Sequence, residues 1–191
     1  MSACLFPVFL KLEGRPVLLV GGGGVAAAKL HALLDARADV TVVAPQVRPE
    51  ILATRARVRL RGFEESDLDG AWLAVAAATP EVNRRVRAAG DSRRVFVNAV
   101  DDPEVASAYT GGVLRRGGAT IAVSTEGRAP ALAGLLREGL EAVLPDELET
   151  WLAAAQALRA RQKAEGVPLA ERRPLLLEAL NRLYASKRGA A

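Results

Sequence analysis

Residues 15–20, Arg-Pro-Val-Leu-Leu-Val, form an almost unbroken apolar run bounded by Gly14 and by four glycines at 21–24. A segment that is apolar on both faces predicts a central strand of a parallel sheet. From Val25 to Ala36 the spacing becomes helical, with Ala26, Leu30, Leu33 and Leu34 on one side. Val40-Thr-Val-Val-Ala44 is a second short apolar strand, closed by Pro45. Strand, helix and strand make a βαβ unit, whose crossover is expected to be right-handed.

The alternation continues along the chain. Strands are expected over 57–61, 71–76 and 94–98, with a loop or single helical turn at 64–69 and a helix at 81–89. Strands alternating with helices in this way predict a doubly wound α/β domain, a Rossmann-type parallel sheet with helices on both faces. After Asp101-Asp-Pro103 the pattern changes. Residues 109–114 and 119–124 read as two strands of a small β-hairpin, turning at Arg115-Arg-Gly-Gly118. An amphipathic helix over 131–144 ends at Pro145. Two more helices, near 147–163 and 169–186, carry stripes at Leu148, Trp151, Leu152, Ala155 and Leu158, and at Leu176, Leu180, Leu183 and Tyr184. The division expected is a nucleotide-binding domain (1–104), a hairpin-plus-helix segment for dimerisation and substrate (105–145), and a C-terminal helical tail (146–191).

Composition narrows the function. Half of the 191 residues are hydrophobic and a quarter charged, ordinary values for a globular protein. No apolar run reaches the ~20 residues of a membrane span. The start of the chain lacks the basic region and cleavage site of a signal peptide, so a cytoplasmic protein without membrane contact is expected. One cysteine, Cys4, and one histidine, His31, cannot build a zinc cluster, and no resident metal is expected. The net charge of +4 comes mainly from arginines spread along the chain with few aromatics. That arrangement carries no nucleic-acid-binding signature.

The candidate chemistry begins at Gly21-x-Gly23-x-x-Ala26, which follows a strand and opens a helix. This is the context a dinucleotide fingerprint requires. Gly21 permits the tight turn, Gly23 lets backbone approach a pyrophosphate, and Ala26 allows close packing of helix on strand. The helix dipole and its free amides would then hold the phosphate charge. The acidic residue that normally ends the second strand and binds the adenosine ribose is missing. Asp39 stands at the wrong end, and the strand runs out as Ala44-Pro45-Gln46. Gln46 can bond a ribose and Arg48 can tolerate a 2′-phosphate, so this pattern leaves NAD and NADP both open.

Taken together, several segments resemble the precorrin-2 dehydrogenase family, the dehydrogenase module of siroheme synthase. They are residues 6–12, Phe-Pro-Val-Phe-Leu-Lys-Leu; the glycine stretch Val20–Lys29; and Val40–Pro45. Val97-Asn-Ala-Val-Asp-Asp-Pro103, Leu114-Arg-Arg-Gly117 and Thr120–Leu132 complete the set, in family order and over at least 5–145. The resemblance implies an NAD-dependent oxidoreductase that converts precorrin-2 to sirohydrochlorin in siroheme or cobalamin biosynthesis. Some members also insert Fe²⁺ as ferrochelatases, and the residues do not choose between one activity and two. Some carry a methyltransferase domain, for which this chain is expected to be too short.

By the same resemblance, NAD would contact Gly24 and Val25, then Pro45 and Gln46, then the Ala77–Thr79 edge, with Gly21 and Gly23 in the loop itself. The family's key carboxylate falls on Asp101, expected to serve as base or to position the ring, whereas Asp102 is read as capping the Asp-Asp-Pro turn. Asn98, Ser124 and Thr125 fall beside the substrate. Arg115, Arg116 and Arg128 are candidate partners for its carboxylates. A homodimer interlocked through the middle segment is also implied. The chain departs from the family at three places: Ala77-Ala-Thr-Pro-Glu81 lacks two acids, Tyr109-Thr-Gly-Gly112 replaces Phe-x-x-Pro, and Arg37 stands where a helix-ending glycine is expected. A different class of function, a non-catalytic NAD-binding redox sensor, would use the glycine loop but has no need of 98–103 or 124–130.

Overall fold

The computed structural model describes residues 5–188, with side chains as far as 182. In chain order the elements are β1 (Pro16–Val20), α1 (Gly24–Asp35), β2 (Asp39–Val43), α2 (Pro49–Leu52) and β3 (Arg57–Arg59). A 3₁₀ turn at Glu65–Leu68 precedes β4 (Leu73–Ala76), α3 (Pro80–Arg93) and β5 (Phe96–Ala99). Then come β6 (Gly112–Arg116), β7 (Ala119–Val123), α4 (Pro130–Val143), α5 (Leu148–Ala164) and α6 (Leu169–Arg188).

The described residues form two compact units, one within 1–111 with 124–130 and one within 112–123 with 131–191. The first holds a five-stranded, wholly parallel sheet in the order β3-β2-β1-β4-β5. Its two faces separate by the period-2 rule. Val17, Leu19, Val40, Val42 and Val75 pack against Ala26, Leu30 and Leu33 of α1 and Ile51 of α2. Leu18, Val20, Val43, Ala74 and Val97 pack against Val86 and Ala89 of α3 and Leu68 of the 3₁₀ turn. That two-sided burial is why β1 and β4 read as continuous apolar runs rather than alternating ones.

α1 ends where a glycine is expected, and Arg37 there takes φ +56°. The amides of Arg37 and Ala38 still close the helix on the Leu34 and Leu33 carbonyls. A side chain is thus held in a left-handed conformation that only glycine adopts without cost.

The sheet edge is pinned by one buried acid. The Asp67 side chain is 0% exposed. It accepts from Arg59 at 2.7 Å, from Arg61 at 2.6 and 2.8 Å, and from the Glu64 amide at 3.0 Å. Burial alone would raise its pKa. The hydrogen bonds from Arg61, the Glu64 amide and Arg59 outweigh that and hold the carboxyl below its ordinary value. Asp67→Ala should therefore lower stability by about 2–3 kcal/mol, read as a fall in Tm of roughly 4–12 °C. The depressed pKa also fixes the pH window. Stability from Asp67 is complete above the unfolded carboxyl value of about 4 and is lost as pH falls through the lower folded value. The gap between wild type and Asp67→Ala should accordingly close in acid.

The second unit contains the β6–β7 antiparallel hairpin and the three C-terminal helices. Here the structure corrects the sequence reading. The hairpin turn is the two-residue Gly117-Gly118, both at positive φ (+52° and +79°), a pair that suits the right-handed twist of the flanking strands. Arg115 and Arg116 belong to β6 rather than to the turn, opposite Thr120 and Ala119. Tyr109 is not in a strand, since β6 starts only at Gly112. The stripe from Leu148 to Leu158 is the half-buried face of α5, whose N-terminal end seats on the turn. A Cβ on Gly117 would lie 2.5 Å from the Glu149 nitrogen and one on Gly118 would lie 2.6 Å from Leu152. Leu183, Tyr184 and Cys4 lie outside the described side chains.

Candidate active site

In an open parallel sheet, ligands bind beyond the carboxyl ends of the strands, where the strand order reverses. Here that point lies between β1 and β4. The segments leaving β1, β2, β4 and β5 carry the glycine loop, Pro45-Gln46, Ala77–Thr79 and Val100-Asp101 respectively, with Asn98 inside β5 just before the last of these. One edge therefore gathers residues from four separate stretches of sequence.

The glycines of the loop have different reasons to be glycine. Gly21 sits at φ +132°, and a Cβ there would stand 2.2 Å from the Ala77 carbonyl oxygen. A Cβ on Gly22 would stand 1.9 Å from the Gln46 carbonyl oxygen, and the Gly22 carbonyl accepts from the Arg48 amide at 2.9 Å. Both are demanded by neighbouring backbone. Gly23 is not, since a Cβ on it meets nothing within 4 Å. It is the N-cap of α1, with no side-chain cap and no acidic residue in the first turn. The leading amides of that helix are thus left for an outside acceptor. This open, uncapped position fits a pyrophosphate. Val25 is half exposed beside it, Pro45, Gln46 and Thr79 are exposed, and Ala77 is partly buried.

Asn83, Lys29 and Thr110, which the sequence reading does not single out, hold this edge in place together with Asn98. Asn83, buried in α3, accepts from the Ala78 amide at 3.0 Å and so fixes the Ala77–Thr79 rim. Asn98, also buried, donates to the Ala108 carbonyl at 2.9 Å and receives a long 3.5 Å bond from Thr110. Lys29 of α1 donates to the same Thr110 hydroxyl at 2.9 Å. A polar line thus runs from α1 to the end of β5. Only a buried asparagine next to a helix start or strand end hinted at it, and that pattern is too common to read from one chain.

Asp101 follows β5 in a left-handed conformation, φ +60°, with its side chain exposed. It makes no hydrogen bond or ion pair among the described residues. The loop that carries it is tied down on every side. The Val100 amide donates to Ala76, Asp102 accepts from the Val105 amide at 3.3 Å, and the Ser107 and Ala108 amides return to the Val97 carbonyl. Asp102 is therefore the turn cap. The Tyr109 hydroxyl donates to the Pro103 carbonyl at 2.7 Å. Gly127 packs so closely that a Cβ there would stand 2.7 Å from Pro103 and 3.3 Å from Tyr109.

That contact brings the Ser124–Pro130 stretch onto the Asp101 loop. The Ser124 and Thr125 hydroxyls accept from the amides of Glu126 and Ala129, at 3.1 and 3.2 Å, and Arg128 pairs with Glu126 at 2.8 Å. In the second unit Arg115 is exposed on β6, whereas Arg116 bonds the Glu141 and Leu144 carbonyls and so closes the end of α4. His31 is exposed on α1. Among the described residues no cluster of three or more His, Cys, Asp or Glu can hold a metal.

Comparison with known proteins agrees with this geometry. Residues 8–112, more than half of the chain, match the family described as "Putative NAD(P)-binding". Siroheme synthase 3 of Aeromonas hydrophila is 45% identical over 172 residues, covering 87% of this chain and 37% of that protein. Siroheme synthase of Citrobacter koseri is 44% identical, covering 87% of this chain and 38% of the relative. The chain thus spans well under half the length of these curated relatives. A solved structure of SirC, a precorrin-2 dehydrogenase, superposes with a TM-score of 0.69 at 26% identity, over 91% of this chain and 88% of its own. By its matched residues and its parallel sheet, the chain belongs to this NAD(P)-binding family and carries its Rossmann-type fold.

Proposed function

We propose that the chain is an NAD-dependent precorrin-2 dehydrogenase that forms sirohydrochlorin; its structural neighbour SirC is named a precorrin-2 dehydrogenase. The observation that carries this reading is Asp101. An exposed carboxylate without partners among the described residues, held in a conformation that costs an aspartate energy, stands on the same sheet edge as the open Gly23 position. A redox sensor has no use for such a group.

Oxidation of the tetrapyrrole removes two electrons and two hydrogens, one as hydride and one as a proton. When bound, NAD supplies the hydride acceptor. The loop amides and the α1 dipole would hold its pyrophosphate, Pro45 and Gln46 would take its adenosine ribose, and the Ala77–Thr79 rim, braced by Asn83, would complete the site. Asp101 takes the proton as the hydride leaves, so the substrate does not accumulate positive charge. We assign Asn98, Ser124, Thr125 and Arg128 to the substrate, supported by the packing of Gly127 on Pro103 of the Asp101 loop; Arg115, exposed on β6, is a separate candidate for a substrate carboxylate. The sequence groups Arg116 with them, but its guanidinium is engaged at the end of α4.

We further propose a homodimer, supported by the exposed Leu132, Leu135, Leu136, Leu140 and Val143 of α4. The setting proposed is cytoplasmic; among the described residues no helix is long and apolar enough to cross a membrane. Iron would enter only as a substrate, if sirohydrochlorin chelation shares this site. Anaerobic addition of Fe²⁺ to sirohydrochlorin with and without the protein tests that step. A rate above the spontaneous one assigns it, and an equal rate removes it.

A further inference from the structure

The adenosine ribose of a dinucleotide lies between the glycine loop and the end of the second strand, where an acid normally reads the 2′-hydroxyl. In this chain β2 is followed by Ala44-Pro45-Gln46, and Asp39 at its other end is bound to Arg57 at 2.8 Å. The two loops are drawn together at Gly22, which receives the Arg48 amide and touches the Gln46 carbonyl. The Arg48 guanidinium reaches into this same gap. One of its terminal nitrogens lies 3.2 Å from where a Cβ on Gly24 would stand.

An unopposed arginine in that place would recruit a 2′-phosphate and favour NADP. This one is opposed. Its Nε lies 3.1 Å from one Glu50 carboxylate oxygen and 3.3 Å from the other. Glu50 stands in the first turn of α2, and its own backbone amide, followed by Arg48, holds its carboxyl below the ordinary value. It is therefore ionised at neutral pH. A 2′-phosphate arriving at Arg48 meets a carboxylate already seated on the guanidinium, so attraction and repulsion offset each other. A 2′-hydroxyl carries no charge and meets no such penalty.

We infer that Glu50 excludes the 2′-phosphate, from the helix after the strand, in place of the acid missing from the strand end. The inference rests on the nucleotide-binding reading above. Kd values for NAD⁺ and NADP⁺, measured by calorimetry on wild type, Glu50→Gln, Arg48→Ala and the double variant, test it. Thermal melts of each protein check folding. Wild type should prefer NAD⁺, and Glu50→Gln should shift the Kd ratio toward NADP⁺ by about five- to tenfold. The shift should vanish in the double variant and shrink in high salt. An unchanged ratio in Glu50→Gln, or a shift that persists without Arg48, overturns the assignment while leaving NAD binding intact. Wild type that binds neither nucleotide overturns both the assignment and the reading beneath it.

Discussion

Asp101→Asn should lower kcat by about 10²–10⁴-fold, the range for loss of a positioned base, while NAD⁺ binding and Tm stay close to wild type. The substitution isolates chemistry from folding for a structural reason. Asp101 sits at φ +60°, a conformation that asparagine tolerates at least as well as aspartate. Its side chain is exposed and bonded to nothing among the described residues, so the amide leaves no buried group unsatisfied. Asp101→Ala is a poorer probe, because alanine carries the full cost of the left-handed backbone. Asp102→Asn makes the matching control. Its side chain caps the turn at Val105, and the asparagine oxygen can keep accepting that amide, so activity should fall far less. Full activity in Asp101→Asn, measured by sirohydrochlorin formation, would remove Asp101 from the reaction.

The second large effect separates two adjacent glycines. Gly23→Val should fold normally, because nothing lies within 4 Å of the new Cβ and the backbone is already extended at φ −84°, ψ −173°. It should weaken NAD⁺ binding by roughly tenfold to a hundredfold, the loss of charge-assisted hydrogen bonds to a phosphate that is no longer able to approach. Gly22→Ala should behave in the opposite way. Its methyl would fall 1.9 Å from a backbone carbonyl oxygen that cannot rotate aside. The loop between β2 and α2 must shift, at a cost of about 3 kcal/mol. Thermal melts and nucleotide titration on the two variants distinguish these results. Stable Gly22→Ala protein, or Gly23→Val that binds NAD⁺ as wild type does, would contradict the packing described for the loop.

The contrast between those glycines also marks what could be read from the sequence. Gly21 and Gly23 belong to a spacing with a known purpose, and the apolar runs on either side place them between a strand and a helix. Gly22 belongs to no spacing. Its reason is the Gln46 carbonyl, a contact between loops that only the folded chain brings together. Parallel strands buried on both faces leave unmistakable runs, so β1, β2 and β4 were legible. β3, an edge strand of three residues with charged neighbours, is two residues shorter than its alternation predicts. The hairpin turn is shorter than the pattern predicts, because Arg115-Arg116 precedes two glycines and looks like part of a polar turn. Two glycines at positive φ suffice for the turn, and the arginines extend the strand. Asp102 was legible as a turn cap from Asp-Asp-Pro, yet the ties that hold Asp101 come from Tyr109 and Gly127, well beyond any local pattern. Asn83, Lys29 and Thr110 share that cause, as their roles lie in long-range hydrogen bonds.

The measurement that bears most directly on the proposed activity is an anaerobic stoichiometry. Purified chain is mixed with precorrin-2 and NAD⁺, and NADH and sirohydrochlorin absorbance are followed together. The expected result is one NADH for each sirohydrochlorin formed, with no product when NAD⁺ is omitted. Folded, NAD-binding protein that forms neither product would contradict it.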